Sequence, residues 1–264
     1  MKLIHGDCLK EMFDIPDNSV DMVCCDMPYG TTACKWDTVL PLDMLWHHYK
    51  RIVKNIGAIV LFSAQPFTTT LINSNLKWFK YQWVWNKVSK TDVFNAKNKP
   101  LRQHEDLCVF SSGTTANKSK RKMFYNPQGV KSGNRTNPQN RKAAGYMGKA
   151  RPSHKKEHIY HGSNYPSSII KFTNADRTNV VHPTQKPVAL IEYLIKTYTN
   201  EGDTVLDNCM GSGTTGVACK NLNRDFIGIE LDEKYFEIAK TRIEGTQYNK
   251  ALEMDRQTAA RHSA

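Results

Sequence analysis

Short apolar runs alternate with amphipathic stretches at both ends of the chain, and the alternation breaks only in the middle. Lys2-Leu3-Ile4-His5 reads as a first strand and Val20 to Cys25 as a buried one. From Pro41 to Asn55 apolar residues recur at helical spacing, at Leu42, Leu45, Trp46, Tyr49 and Val53. Ala58 to Phe62 predicts another buried strand, and Pro66 opens a helix that runs to Leu76. Phe79, Tyr81, Trp83 and Trp85 alternate with Lys80, Gln82 and Val84, a strand period whose aromatic face suits a core better than a base-stacking platform. Glu105 to Ser111 predicts a further strand. A long polar interval follows. Beyond it come a helix from Pro187 to Tyr198, a strand Thr204 to Asp207, a helix of small residues from Ser212 to Leu222 and a strand Phe226 to Glu230. Asp232 then caps a helix from Glu233 to about Ile243. The residues after Gly245 are polar and read as a loosely held tail.

Strands alternating with helices predict an open α/β fold: a mostly parallel twisted sheet with helices on both faces. Ligands in such sheets bind beyond the carboxyl ends of the strands, where Asp26 and Asp207 both fall. A length of 264 residues suits one domain carrying an insertion. The expected division is 1–111 as a first half, 112–180 as the insertion, 181–245 as a second half and 246–264 as the tail.

Charge singles out the insertion. The chain carries a formal net charge of +12. Between Ser111 and Tyr160 stand twelve bases, among them Lys118, Lys120, Arg121, Lys122, Lys131, Arg135, Arg141 and Lys142, against the single acid Glu157. Asn, Gly, Ser, Thr and Tyr are interleaved with them. A solvated basic loop would have this charge; a surface that neutralises phosphates and reads bases would have both the charge and the amides. Lys87, Lys90, Lys97, Lys99 and Arg102 form a second basic stretch, read as a loop positioned for phosphate contact. The candidate nucleic-acid contacts are therefore Lys97, Arg102, Lys120, Arg121, Lys122, Arg135, Arg141 and Lys142. The seven cysteines are irregularly spaced, with no C-x-x-C pair, which fits a reducing cytoplasm. No apolar stretch is long enough to span a bilayer, and the N-terminus lacks the apolar region of a signal peptide. His154, His158 and His161 lack the cysteine or carboxylate pattern of a metal site.

Two motifs carry the chemistry. Asp26-Met27-Pro28-Tyr29 closes the second strand with a carboxylate, a backbone carbonyl fixed by the following proline, and an aromatic ring. That set can grip a planar heterocycle bearing an amine. Two acceptors on its N–H groups favour a pyramidal, more nucleophilic nitrogen and stabilise the charge that develops, while Tyr29 stacks on the ring. Far downstream, Gly211-x-Gly213-x-x-Gly216 follows a strand and opens a helix, with Glu230 ending the next strand. The glycines admit a ligand close to the backbone and the strand-end acid accepts from ribose hydroxyls, the pattern of a nucleoside cofactor. NAD is one option. Asp207 ahead of the glycines faces a cation better than a pyrophosphate, which favours S-adenosylmethionine, with Thr214 and Thr215 at the helix start placed for its carboxylate.

The ordered set resembles the class β amino-methyltransferases of DNA. Their Asp-Pro-Pro-Tyr-type motif precedes the cofactor glycines, with target recognition between. Release-factor and ribosomal methyltransferases place a related motif after the glycine loop. His182-Pro-Thr184-Gln-Lys186-Pro187 looks like the family's segment bordering the methionine end of the cofactor, and His5-Gly6-Asp7 like its N-terminal segment, whose acid faces the cofactor adenine. The resemblance spans about residues 1–111 and 181–245. It implies a Rossmann-like fold with the catalytic half before the cofactor half, and methyl transfer from S-adenosylmethionine to a base flipped out of double-stranded DNA. It further implies Asp26, Met27, Pro28 and Tyr29 as catalytic residues, and Asp7, Thr184, Lys186, Asp207, Gly211, Gly213, Thr214, Thr215 and Glu230 as cofactor residues. Asp at the first position fits N6-adenine; N4-cytosine enzymes more often use Ser. Met27 stands where the family has proline, still supplying a carbonyl but predicting a slightly less rigid pocket. A homodimer is a common family assembly, and a cognate restriction enzyme leaves no mark in this sequence. An NAD-dependent oxidoreductase leaves the basic insertion unexplained, and a basic DNA-binding module with a vestigial cofactor fold is a further alternative, which failure to bind S-adenosylmethionine would favour.

Overall fold

The computed structural model describes residues 1–30, 38–133, 135–137, 158–160, 162–173 and 185–246. Two compact units emerge, Met1–Asn126 with Ser168–Ala264, and Pro127–Ser167. The insertion expected at 112–180 is therefore shorter at both flanks, for packing reasons. Met123 is buried, and the Asn126 amide donates to the Thr197 carbonyl at 2.8 Å. On the other side, Ile169–Lys171 pairs with Val84–Asn86 of the main sheet. The smaller unit contains a two-stranded antiparallel pair, β6 (Arg135–Asn137) with β7 (His158–Tyr160).

In the larger unit the strands are β1 (Lys2–His5), β2 (Val20–Cys25), β3 (Val53–Ser63), β4 (Phe79–Thr91), β5 (Arg102–Phe110), β8 (Ile169–Lys171), β9 (Thr204–Asp207) and β10 (Asp225–Glu230). They form one sheet in the order β1-β10-β9-β2-β3-β5-β4-β8. From β1 to β3 all neighbours are parallel; β5 runs antiparallel to both β3 and β4. The helices are α1 (Cys8–Glu11), α2 (Leu42–Ile52), α3 (Phe67–Ser74), α4 (Val188–Tyr198), α5 (Thr214–Asn221) and α6 (233–246). This is the Rossmann-like arrangement expected above. Its consequence for the site lies in one pairing: β2 and β9, far apart in sequence, are neighbours, with Met22 opposite Val205 and Val23 opposite Leu206. Asp26 and Asp207 thus leave adjacent strand ends, at the point where the chain order reverses.

Both faces of the sheet are covered, which is why β2 and β3 read as continuous apolar runs. Met22, Cys24, Val60 and Phe62 pack with α4 and α5 on one face. Val23, Cys25, Ile59 and Leu61 pack with α2 and α3 on the other. The aromatic face of β4 is core, as its period predicted. Trp83 and Trp85 are buried, and their indole N–H groups donate to Tyr198 Oη at 2.7 Å and to the Phe172 carbonyl at 3.0 Å.

Two elements differ from their expected bounds. β3 starts at Val53 rather than Ala58, because α2 passes directly into extended backbone. The β4–β5 hairpin is longer than the alternation implied, so Lys87 and Lys90 lie in a strand instead of a loop. His154, His161 and the tail beyond 246 lie outside the described residues. Among the described residues, no helix is long and apolar enough to cross a membrane.

Candidate active site

Asp26 sits just past β2 with both carboxylate oxygens engaged. Oδ1 accepts from Tyr29 Oη at 2.5 Å, and Oδ2 from Lys186 Nζ at 2.5 Å. Lys186, one residue ahead of the α4 cap, also lies 3.4 Å from Glu105 Oε2 on β5 and 5.2 Å from the centroid of the Phe62 ring. Lys87 of β4 pairs with the other oxygen of Glu105. A chain of alternating charge therefore runs Lys87–Glu105–Lys186–Asp26 from the hairpin root to the first motif. The outer three members are nearly buried, at 12%, 13% and 11% side-chain exposure. Burial works against the Lys186 charge, but Asp26 and Glu105 outweigh it and its pKa is raised. For Glu105, burial pushes the pKa up, yet Lys186 and then Lys87 bring it below the ordinary value. Buried charges persist only when paired in this way.

The rest of the first motif is fixed by packing. The Met27 side chain is 2% exposed and belongs to the core beneath the sheet. Where the family's proline would stiffen the backbone with a ring, this chain anchors it with a buried side chain. Pro28 follows it in an irregular segment. Tyr29 lies nearly parallel to Phe67 of α3, with ring centroids 5.3 Å apart and planes at 21°. One face of its ring thus rests on protein, and its hydroxyl braces Asp26. Burial, followed by the nearby charges of Asp26 and Glu105, pushes the Tyr29 phenol well above its usual range.

At the neighbouring strand end Asp207 is 4% exposed. Oδ2 accepts from Thr215 Oγ1 at 2.6 Å and Oδ1 from the Cys209 amide at 3.2 Å. Burial nonetheless pushes its pKa up to about 7, and the charge on Asp26 adds to the effect. The glycines divide their work. A Cβ on Gly211, at φ +50°, would meet nothing within 4 Å, whereas one on Gly216 would lie 2.3 Å from Ile243 Cδ1. Gly211 therefore leaves room for a ligand, and Gly216 lets α5 close on α6. Gly213, in the left-handed region, is the N-cap of α5. Glu230 accepts from the Gly211 amide at 2.8 Å and the Asp232 amide at 2.9 Å. A carboxylate offers about four acceptor sites, so lone pairs remain for hydroxyl donors. The open space at Gly211, flanked by a buried acid and a strand-end acid, fits a nucleoside bearing a cationic tail.

Several expected residues take additional or different places. Asp7 is the N-cap of α1, accepting from the Leu9 amide at 2.9 Å, two residues beyond the His5–Glu230 pairing. Thr215 spends its hydroxyl hydrogen on Asp207, and Thr214 Oγ1 lies 3.5 Å from Arg242 Nη1 of α6. Thr184, Arg141 and Lys142 lie outside the described residues. Arg135 is described only through its backbone in β6. Lys97 and Arg102 are exposed on the hairpin beyond Glu105. Lys120, Arg121 and Lys122 are exposed too, but at the other end of the sheet. Their segment is tied to the start of β3, through Ser112 Oγ donating to the Asn55 carbonyl at 2.6 Å and the Phe124 amide to Ile56 at 3.0 Å. From Asn55 to the Ser63 end, β3 rises about 26 Å. The structure does not bring this triplet together with Asp26.

Glu105, Lys87, Phe67 and Arg242 were not legible as site residues. Glu105 had one sequence signal, an acid opening a predicted strand, whereas Lys87 was read as part of a basic loop. Phe67 and Arg242 had none.

Comparison with known proteins agrees with this geometry. Residues 20–241 match the DNA methylase family N6_N4_Mtase. The chain is 28% identical over 259 residues to the type II methyltransferase M.HpaI of Haemophilus parainfluenzae, covering 92% of this chain and 74% of the relative. It is also 28% identical to M.BglII of Bacillus subtilis, covering 92% and 69%. Among solved structures, the M1.HpyAVI complex with S-adenosylmethionine superposes with a TM-score of 0.62 at 26% identity, covering 92% of this chain and 98% of that one. The PvuII DNA methyltransferase, cytosine-N4-specific, shares the fold with a TM-score of 0.65 at 15% identity, covering 91% and 85%.

Proposed function

Since this chain belongs to the DNA methylase family, we propose that it methylates the N6 amine of an adenine flipped out of double-stranded DNA. The methyl donor is S-adenosylmethionine, which supplies an electrophilic methyl on a sulfonium when bound. The observation that carries the reading is Asp26, a carboxylate at the end of β2 beside the strand that leads into the cofactor loop. Asp26 accepts one N6–H bond and the Met27 carbonyl the other, which localises the nitrogen lone pair. Asp26 is also the base positioned to receive the proton that N6 sheds after transfer. Tyr29 is the aromatic residue of the motif, placed by its sequence position to stack on the base. Glu230 takes ribose hydroxyls, Asp207 the cationic amino group, and the first turn of α5 with Thr214 the carboxylate. Asp7 and the segment holding Thr184 border the same ligand by family resemblance. The smaller unit carries eight bases and one acid between Pro127 and Ser167, and this charge supports a role in reading the duplex.

Digesting DNA from cells that express the chain, and identifying the modified nucleoside, tests the reading. N6-methyl-2′-deoxyadenosine is expected. N4-methyl-2′-deoxycytidine would replace it with the alternative reading, and unmodified DNA would remove both.

Two further results are expected. In the free protein Asp207 takes up a proton as pH falls through about 7. A bound cation needs the carboxylate, so that proton must leave on binding. S-adenosylmethionine affinity, measured calorimetrically, should weaken by about tenfold per pH unit well below 7. Asp207→Asn should bind weakly at every pH; a flat native profile would remove the cationic contact. Charge reversal of Lys97 and Arg102 together should raise KM for DNA and reduce its salt dependence. The same change at Lys120, Arg121 and Lys122 should leave both unaltered, given the distance from Asp26. The opposite ranking would put the duplex on the far end of the sheet.

A further inference from the structure

Exposed apolar side chains scattered singly are ordinary on protein surfaces, but Phe94 is not scattered. It lies at the tip of the β4–β5 hairpin, 103% exposed, beside Val93 at 65%. A phenylalanine held wholly in water forgoes the burial that its ring favours, and a slack loop would fold it back. This loop is not slack. Asp92, at φ +71°, starts a tight turn over Val93–Asn95. Its Oδ1 accepts from Asn95 Nδ2 at 2.6 Å, its Oδ2 pairs with Lys99 Nζ at 2.6 Å, and its carbonyl accepts the Asn95 amide at 3.0 Å. The Asn98 amide closes on the Asn95 carbonyl at 2.8 Å. A built turn therefore presents the ring outward.

Direction and charge identify what meets it. Because β5 is antiparallel to β3, with Ser63 opposite Asp106, the hairpin leaves the sheet at the end where β2 delivers Asp26. Its root is the Lys87–Glu105 pair, itself one ion pair from the Lys186–Asp26 contact. From Glu105 to Arg102 the strand carries the tip about 10 Å further out. Around it stand Lys90, Lys97, Lys99 and Arg102, with Asp92 the one acid from residue 88 to 104 and already paired. An aromatic ring ringed by cations matches a polyanion that exposes flat apolar surfaces, and a duplex losing a base from its stack offers such a surface.

We propose that Phe94 is a wedge that enters the base stack of the DNA beside the flipped nucleotide. It offsets the lost stacking while the surrounding bases hold the flanking phosphates. The proposal rests on the reading above that the substrate base is taken out of a duplex.

The test uses the full chain, with a duplex containing the site found by sequencing methylated DNA from expressing cells. Phe94→Ala and Phe94→Trp are compared with the native protein for kcat/KM, for fluorescence of 2-aminopurine at the target position, and for S-adenosylmethionine affinity. Phe94→Ala should lose most of the flipping signal and drop kcat/KM by roughly tenfold to a hundredfold, the scale of base–aromatic stacking. Phe94→Trp should keep both, and cofactor affinity should hold throughout. On a duplex whose target base faces an abasic site, already poorly stacked, the alanine deficit should shrink to a few-fold at most (on the order of threefold). Native-like flipping and turnover in Phe94→Ala, or an equal deficit on both duplexes, would overturn the wedge while leaving DNA methylation standing. A native protein that binds S-adenosylmethionine but modifies no DNA would overturn the underlying reading, and the wedge with it.

Discussion

Replacing Asp26 with alanine is expected to lower kcat by roughly a hundredfold to a thousandfold, the range for losing one positioned transition-state group, with S-adenosylmethionine bound at near-native affinity. The separation follows from the sheet. Asp26 leaves β2, whereas the expected cofactor contacts Asp207, Gly211 and Glu230 come from β9, β10 and the loop between. Removing the carboxylate frees Lys186, but Glu105 lies 3.4 Å from the ammonium and keeps it paired. Tyr29 loses its acceptor yet retains its stacking on Phe67. The nearby charge on Asp26 also helps to raise the Asp207 pKa. Its removal should therefore let cofactor binding persist to slightly lower pH in the same calorimetric titration. Asp26→Asn separates charge from shape: it can still accept one hydrogen bond but cannot take up the proton from N6. A variant that methylates at the native rate would end the assignment of Asp26. One that loses cofactor affinity by a large factor would move Asp26 into the cofactor site.

What the chain discloses on reading, and what it withholds, follows from the range over which each interaction acts. The strands β2 and β9, the acids at their ends and the glycine loop are local patterns, and all stand where periodicity put them. The adjacency of Asp26 and Asp207 depends on strand order, which no local pattern encodes; only the order of the two motifs, compared with a known family, implied it. Lys87 illustrates the limit. Among Lys90, Lys97, Lys99 and Arg102 it reads as one more base of a loop positioned for phosphate contact, yet pairing of Trp85 with Glu105 puts it against a nearly buried acid. The Lys120–Lys122 triplet illustrates the converse. Its charge density suggests phosphate contact, while its anchorage to Asn55 and Ile56 sets it at the far end of the sheet. Charge is visible in a sequence; the end of a sheet at which it lies is not.

The same network makes Lys186 the residue whose loss should be felt both in stability and in rate. Lys186→Met keeps the stem over Phe62 but removes the ammonium between two carboxylates. Glu105, 13% exposed, would then rely on Lys87 alone against the burial that already pushes its pKa up. Leaving a buried charge short of its partner costs about 3 kcal/mol or more, so urea denaturation at pH 7 should register a loss of that order. The pH dependence has a definite sign. Glu105 is shifted down, so its contribution is full above its unfolded pKa and is lost as pH falls through the folded value. Lys186 is shifted up, so its contribution is full below its unfolded pKa and is lost as pH rises through the folded value. The native excess over Lys186→Met should therefore be widest across the neutral range, between the ordinary carboxylate and lysine values, and narrow at both extremes. Adding Glu105→Gln to Lys186→Met relieves one acid but leaves the ammonium of Lys87, 12% exposed, without its carboxylate, so it should recover little of the stability. It should not recover the rate, because the carboxylate that grips the amine still lacks the cation that orients it. In the single variant the acid limb of the kcat profile should move to higher pH, as Glu105 loses one of the two cations that hold its pKa down; a role confined to packing would leave that limb in place. Equal stability of native and Lys186→Met at pH 7, with unchanged limbs, would mean that the ammonium does not bridge Asp26 and Glu105 in solution.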